Sequence, residues 1–330
     1  MLGLSVANLR VRQAIPSGAD LVIDAGQTFV VEFKTSASAA PIVAATKQVL
    51  AYAKRVHRRA VPLVAVSFMG EVGSRICGDA GVSWIDLSGN AHIIAPGLRV
   101  IIEGKPNRFI VPGRPTNLFA PTSSRVVRWL LIHADQSLSQ RVVARSTGLD
   151  EGFVSRLVAR LENDGYLVRD DHGAIRAKDP ALLLDAWREA YQFSKHILHQ
   201  GHVAARSGDA LLRFASDTLA AQGIEHAATG LAAAWALTRF AGFRIATLYL
   251  STDPSPTLFE QLGCREDPRG ANLWLVVPND AGVFHGAIEK DGIRCVHPVQ
   301  VYVDLKSHPE RATEAAEHLR TELLTWRHDG

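Results

Sequence analysis

The turn and capping signals between Pro121 and Lys178 constrain this chain more tightly than any other stretch. Ser123 and Ser124 are placed to cap a helix through Val126, Val127, Trp129, Leu130 and Leu131. Ser139 is placed to cap a second, Gln140 to Ser146, with Val142 and Val143 facing inward. Thr147-Gly148-Leu149 follows as a tight turn, the glycine supplying the left-handed backbone that ends a helix. Asp150 caps a third helix, Glu151 to Asp164, whose apolar stripe is Val154, Leu157, Val158 and Leu161. Asn163-Asp164-Gly165 closes it, and Tyr166-Leu-Val opens a hairpin that turns at Asp171-His172-Gly173. Three short helices, a turn between the second and third, then a small hairpin: this order predicts a winged helix-turn-helix over residues 115–180.

In such a unit the N-terminal half of the third helix enters the DNA major groove. The apolar stripe leaves Phe153, Ser155, Arg156 and Arg160 for the outer face. Arg156 has the forked donors that match a guanine edge, and Ser155 serves base or phosphate. Arg141, Arg145, Arg169 and Arg176 fall where backbone contact is expected. The competing expectation is a packing or dimerisation module, because residues 115–180 carry 9 Lys and Arg against 8 Asp and Glu.

Residues 1–114 alternate strand and helix signals. Gly18 to Asp24 and Thr28 to Lys34 form a predicted hairpin, Ala40 to His57 a helix, Leu63 to Phe68 a buried strand, Glu71 to Ala80 a short helix and Val82 to Leu87 a strand. This predicts an α/β domain. It holds 13 Lys and Arg against 7 Asp and Glu, with Lys54, Arg55, His57, Arg58 and Arg59 clustered at a helix C-terminus, a solvated end that suits the macrodipole. Pro106 to Pro121, with four prolines, reads as a linker. Residues 181–330 predict a second α/β domain, with helices at Ala181–Trp187, Asp209–Ala221, Leu231–Phe240 and Pro309–Trp326 and strands at Arg244–Leu250, Leu273–Val277 and Val299–Val303. The fold class is therefore multidomain α/β around a central winged helix.

The first hairpin carries a possible metal chemistry. Asp20 stands on one strand and Glu32-Phe33-Lys34 on the next, and alternation puts Glu32 and Lys34 on one face. Gln48 and Tyr52 lie one turn apart on the following helix. Two carboxylates can hold Mg2+, which polarises a phosphate and acidifies water, while a lysine orients the nucleophile. This resembles the PD-(D/E)xK restriction-endonuclease-like superfamily, which implies Asp20, Glu32, Lys34 and Gln48 as catalytic residues and Asp20 and Glu32 as the metal pair. Ala19 stands where that motif has proline, and residues 1–19 contain no acidic group. The bland alternative is a solvated Glu32/Lys34 pair on a strand face.

Other chemistries find little support. The three cysteines, Cys77, Cys264 and Cys295, lack CxxC spacing, which argues against a disulfide framework or zinc site. The 13 histidines form no HExxH; His196 and His199, three apart, are expected on a helix with His202 close by, as solvated or helix-end residues. Ser88-Gly89-Asn90 is expected to be a turn, and no P-loop or dinucleotide fingerprint exists. With 47% hydrophobic residues, no signal peptide and no membrane-spanning run, the expectation is a cytoplasmic protein.

Several stretches together resemble the AbiEi antitoxins of type IV toxin–antitoxin systems. They are Gly81-Val-Ser-Trp-Ile-Asp-Leu-Ser-Gly-Asn90, the predicted winged helix, Ala228-Thr-Gly-Leu-Ala-Ala-Ala-Trp235, and His297-Pro-Val-Gln-Val-Tyr-Val-Asp-Leu-Lys306 followed by Glu314-Ala-Ala-Glu-His-Leu-Arg320. The resemblance implies a DNA-binding repressor of its own operon that counters a nucleotidyltransferase toxin. It also implies a C-terminal domain of degenerate nucleotidyltransferase-like fold, which lacks the Gly-Ser and paired aspartates of an active enzyme. On this reading the partners are double-stranded DNA and a toxin, no cofactor is needed, and no membrane is involved. The alternatives are a Mg2+-dependent nuclease targeted by the winged helix, and a scaffold that docks a protein partner.

Overall fold

The computed structural model describes residues 10–13, 18–35, 37–56, 59–109 and 118–326. His57, Arg58 and most of the predicted linker lie outside them. The chain divides into two compact units, Met1–Thr116 with Asn163–Tyr166, and Asn117–Glu162 with Leu167–Gly330.

The first unit is a seven-stranded sheet in sequence order: β1 (Arg10–Gln13), β2 (Leu21–Asp24), β3 (Thr28–Lys34), β4 (Val61–Val66), β5 (Ser83–Asp86), β6 (Ala91–Ala95) and β7 (Leu98–Ile102). β1 to β3 are antiparallel, β3 to β5 parallel and β5 to β7 antiparallel. Parallel neighbours need a crossover, supplied by α1 (Ala39–Val56) and α2 (Glu71–Asp79). Strand alternation then sorts the side chains. Val30, Val64, Val66 and Trp84 pack with Ile42, Ala45 and Val49 of α1, while Val31, Leu63, Ala65 and Ile93 form a core on the other face. The expected turn at Ser88-Gly89-Asn90 is present: Asp86 Oδ1 accepts the Gly89 and Asn90 N–H groups at 2.8 Å each, and Gly89 adopts φ 103°.

The second unit begins with α3 (Pro121–Ile132), α4 (Gln140–Thr147), α5 (Glu151–Asn163) and the β8 (Leu167–Arg169)–β9 (Ile175–Ala177) hairpin. A bridge between Leu138 and Ile175 adds a third short strand position. The remainder contains α6 (Pro180–Ala190), β10 (Ile197–His202), α7 (Gly208–Ala221), β11 (His226–Thr229), α8 (Gly230–Thr238), β12 (Ala246–Leu250), α9 (Pro256–Gln261), β13 (Arg265–Glu266), β14 (Leu273–Val277), β15 (Ile288–Lys290), β16 (Ile293–Cys295), α10 (Pro298–Asp304) and α11 (Ala312–Leu323). Its sheet runs β13-β10-β14-β12-β11-β16-β15, with β11–β16 and β12–β14 parallel. α3 packs on α4 and β9, and also on α6, α10 and the 3-10 turn at Ala281–Phe284. The three-helix module and the C-terminal sheet therefore share one compact body.

Four expectations need correction. Ser123 and Ser124 do not cap α3. Ala120 holds the cap position, Pro121 takes the first turn where its fixed φ fits, and both serines are buried inside the helix. Val142 is 47% exposed, while Val143 is fully buried. Val299–Val303 is helical. Its valines read as a strand, but Pro298 opens a helix whose first turn is capped by His297 Nδ1, accepting the Val299 N–H at 3.2 Å. Every residue from Pro298 to Asp304 is buried, so no helical period shows in the sequence. Conversely, His199 and His202 lie on strand β10, and His196 precedes it.

Candidate nucleic-acid interface

The core of the helical module is built as the apolar spacing demands. Val126, Val127, Leu130 and Leu131 of α3, Val143 and Ala144 of α4, and Val154, Leu157, Val158 and Leu161 of α5 are all buried. Local signals set the helix ends. Ser139 Oγ accepts the Val142 N–H at 3.3 Å, Gly148 adopts φ 66°, and Asp150 Oδ1 accepts the Phe153 N–H at 2.9 Å. Asp170 Oδ1 accepts the N–H groups of His172 and Ala174 at 3.0 and 2.9 Å, which fixes the hairpin turn.

Burying the stripe of α5 presents Ser155, Arg156 and Arg160 to solvent, with Phe153 half-buried at the margin. Arg145, Arg156 and Arg176 are exposed, and no carboxylate pairs with them among the described residues. Their charge is available to an anionic polymer. Arg141 lies 3.4 Å from Glu151, both highly exposed, a pair weak enough to exchange for phosphate. Arg169 is differently employed. Its Nε and Nη2 donate to the two Glu162 oxygens at 2.9 and 2.7 Å, and its Nη1 donates to the Gly173 carbonyl at 2.9 Å. That triple engagement ties the hairpin to α5, so Arg169 shapes the wing. Two more exposed positions of the module were not singled out from the sequence, Val142 on α4 and His172 at the hairpin tip. The Asp171-His172-Gly173 turn signal marks the second, and nothing local marks the first.

Behind this surface α3 carries a buried polar network into the C-terminal part. Arg128 is 2% exposed; its Nε and Nη2 donate to Gln300 Oε1 at 2.9 and 2.7 Å. Gln300 Nε2 donates to Asp304 Oδ1 at 2.8 Å. Asp304 also accepts from Tyr191, Tyr249 and Thr229. Burial pushes its carboxyl up to about 6, against those four hydrogen bonds, which lower it. The Asn279 N–H donates to His196 Nδ1 at 3.0 Å, so the neutral ring carries its proton on Nε2, facing Tyr191 Oη at 2.7 Å. Burial, with the Arg128 charge nearby, holds His196 down at about 4. Burial also lowers the Arg128 pKa, opposed by Tyr191, Asp280 and Asp304.

Two family models cover these regions. Residues 119–174 match the MarR family, and residues 176–325 match a model described as transcriptional regulator, AbiEi antitoxin, type IV TA system. These matches support a DNA-binding regulatory antitoxin. The first spans the helices and hairpin built above, and the second spans the C-terminal sheet with its helices. No curated protein and no solved structure gives a match. Among the described residues no helix is long and apolar enough to cross a membrane.

The predicted nuclease-like residues are partly brought together. The register pairing Leu21 with Val31 sets Asp20 beside Glu32, and Asp20 Oδ2 accepts the Phe33 N–H at 2.8 Å. Lys34 Nζ donates to Glu32 Oε1 at 2.6 Å. Glu32 is 1% exposed and its Oε2 has no hydrogen-bond partner, so it is not the solvated strand residue of the bland alternative. Gln48 is exposed on α1. The donor set fits a divalent ion poorly. One oxygen of each carboxylate is already engaged, and among the described residues no group of three or more His, Cys, Asp or Glu side chains is arranged to hold a metal.

Proposed function

We propose that this protein is a sequence-specific DNA-binding autorepressor, and that it acts as the antitoxin to a nucleotidyltransferase-type toxin. The observation that carries the DNA reading is the outer face of α5, where Ser155 and Arg156 stand exposed beside a braced hairpin bearing Arg176. A planar guanidinium at that position can fork onto guanine O6 and N7, while Arg141, Arg145 and Arg176 hold register on phosphates. The near-balanced charge of residues 115–180 points to recognition by a few placed arginines rather than a broad basic field.

The C-terminal sheet is proposed as a degenerate nucleotidyltransferase-like domain serving the toxin-neutralising role, without transfer chemistry of its own. For the first unit we propose a restriction-endonuclease-like fold. Its support is the antiparallel β1–β2–β3 followed by an α1 crossover to parallel β4, with Glu32 and Lys34 side by side on β3.

Selection from a random-duplex pool tests the main reading. The full chain should enrich one symmetric or single-site motif, with binding that weakens steeply as salt rises. Failure to enrich any motif overturns it. The same duplexes incubated with Mg2+ or Mn2+ should stay intact; cleavage that disappears in Glu32→Ala would establish the nuclease alternative instead.

A further inference from the structure

The Arg128 guanidinium has an unmet requirement. It is 2% exposed, two of its nitrogens share one amide oxygen of Gln300, and Nη1 has no partner. Among the described residues no carboxylate forms an ion pair with it. Asp280 is committed to Arg125 Nε at 2.7 and 2.9 Å and to the Gly282 N–H at 2.7 Å, and Asp304 is reached only through Gln300. A buried cation without a contacting counter-ion is costly, and a network left partly satisfied calls for an additional partner. Gly282 packs directly against the guanidinium: a Cβ there would stand 2.8 Å from Arg128 Nη1, so no larger residue fits behind it.

Arg128 also helps line a small, solvent-open cleft. The other walls are Phe119, Pro121 and Ser124 at the start of α3, with Tyr191, Lys195, His196 and Asn279 from the C-terminal part. The start of α3 gives this wall no free N–H: Pro121 has none, and the Ser124 N–H is donated to the Ala120 carbonyl at 2.7 Å. Lys195 stands exposed, with no acidic partner among the described residues. The acidic side chain in the wall, Asp280, is neutralised by Arg125.

From an orphaned buried donor and a free lysine on one cleft, we propose that the cleft binds a small oxyanion, a phosphate or carboxylate head group, through Arg128 and Lys195. Such a ligand would bridge α3 of the DNA-binding module to the Tyr191–His196 and Asn279–Val283 segments. It would act as an effector site distinct from the outer face of α5.

The full chain is titrated with inorganic phosphate, and separately with acetate, at fixed ionic strength, and its unfolding temperature is followed. No DNA is involved, so the result is independent of the operator reading. The expectation is a saturable rise with half-saturation near about 1 mM phosphate. Lys195→Ala should keep the anion-free unfolding temperature and raise half-saturation about tenfold, one charge-assisted contact's worth. Arg128→Gln should abolish the saturable rise. Saturation by phosphate alone assigns a phosphoryl ligand; saturation by both assigns a general oxyanion head. A rise that stays linear in concentration and is the same in Lys195→Ala, as non-specific salt exclusion gives, overturns the proposal.

Discussion

Gln300 is the residue whose loss should most damage the joint between the helical module and the C-terminal sheet. It is fully buried, takes two hydrogen bonds from Arg128 and gives one each to Asp304 at 2.8 Å and Tyr191 at 3.2 Å. Gln300→Leu keeps the volume but leaves the guanidinium with no acceptor and the carboxylate one donor short. Breaking a buried charged network from one side costs about 3–5 kcal/mol. Arg128→Met alone removes the charge and orphans only the Gln300 oxygen, about 1–3 kcal/mol. The double variant removes both and should be little worse than Arg128→Met, a coupling of at least about 2 kcal/mol. Urea unfolding followed by tryptophan emission reads this; Trp187, one of the six tryptophans, lies 5.1 Å under the guanidinium. Additive single variants, or a Gln300→Leu cost under about 1 kcal/mol, would refute the account of a network that must be kept whole or removed whole.

Stability should rise with pH between about 4 and 6. Burial holds His196 and His297 at about 4 against 6.5 in the unfolded chain, so each contributes stability above 6.5 that is lost as pH falls towards 4. Asp304 runs the other way, from 3.8 to about 6: its contribution is full below 3.8 and is lost as pH rises through 6. Burial also lowers His285 and His308 in the same sense, so the histidines outweigh the one carboxyl and the net slope is upward by roughly 1 kcal/mol or more per pH unit; a flat or falling urea midpoint across that window would contradict it. Gly148→Ala, at φ 66°, should cost about 1 kcal/mol in thermal unfolding monitored by circular dichroism, because alanine resists the left-handed region; no loss would mean the α4–α5 turn is differently formed. Ser139→Ala should cost about 1 kcal/mol in the same assay through the lost cap on Val142, and an unchanged unfolding temperature would remove that role.

The helical module was legible because its signals are local. A cap at Ser139, a left-handed glycine at Gly148, a cap at Asp150 and a 3.6-residue stripe on α5 act within a few residues and agree with one another. The hairpin of β2 and β3 was legible for the same reason. What stayed hidden depends on distant partners. Pro298–Asp304 is buried on every side, so neither period survives, and three valines argued for a strand that the Pro298 helix start overrides. His199 and His202 sit on β10, which exists because β13 and β14 pair with it more than sixty residues on. In the candidate site, the exposed face of α5 followed from its buried stripe. The engagement of Arg169 by Glu162 follows from how the hairpin folds back. Arg128, an unremarkable helix arginine in the sequence, meets Gln300 across 172 positions, and no local pattern announces that.

The central claim, that α5 reads DNA sequence, is tested most directly by one comparison of affinities. The selected duplex and a scrambled duplex are titrated with wild type, Arg156→Ala and Arg176→Ala across a salt series. Arg156→Ala should lose about 1–3 kcal/mol on the selected duplex only, and Arg176→Ala should weaken both duplexes alike and reduce the salt slope by about 1. If Arg156→Ala binds the selected duplex as wild type does, with discrimination intact, α5 is not the recognition helix.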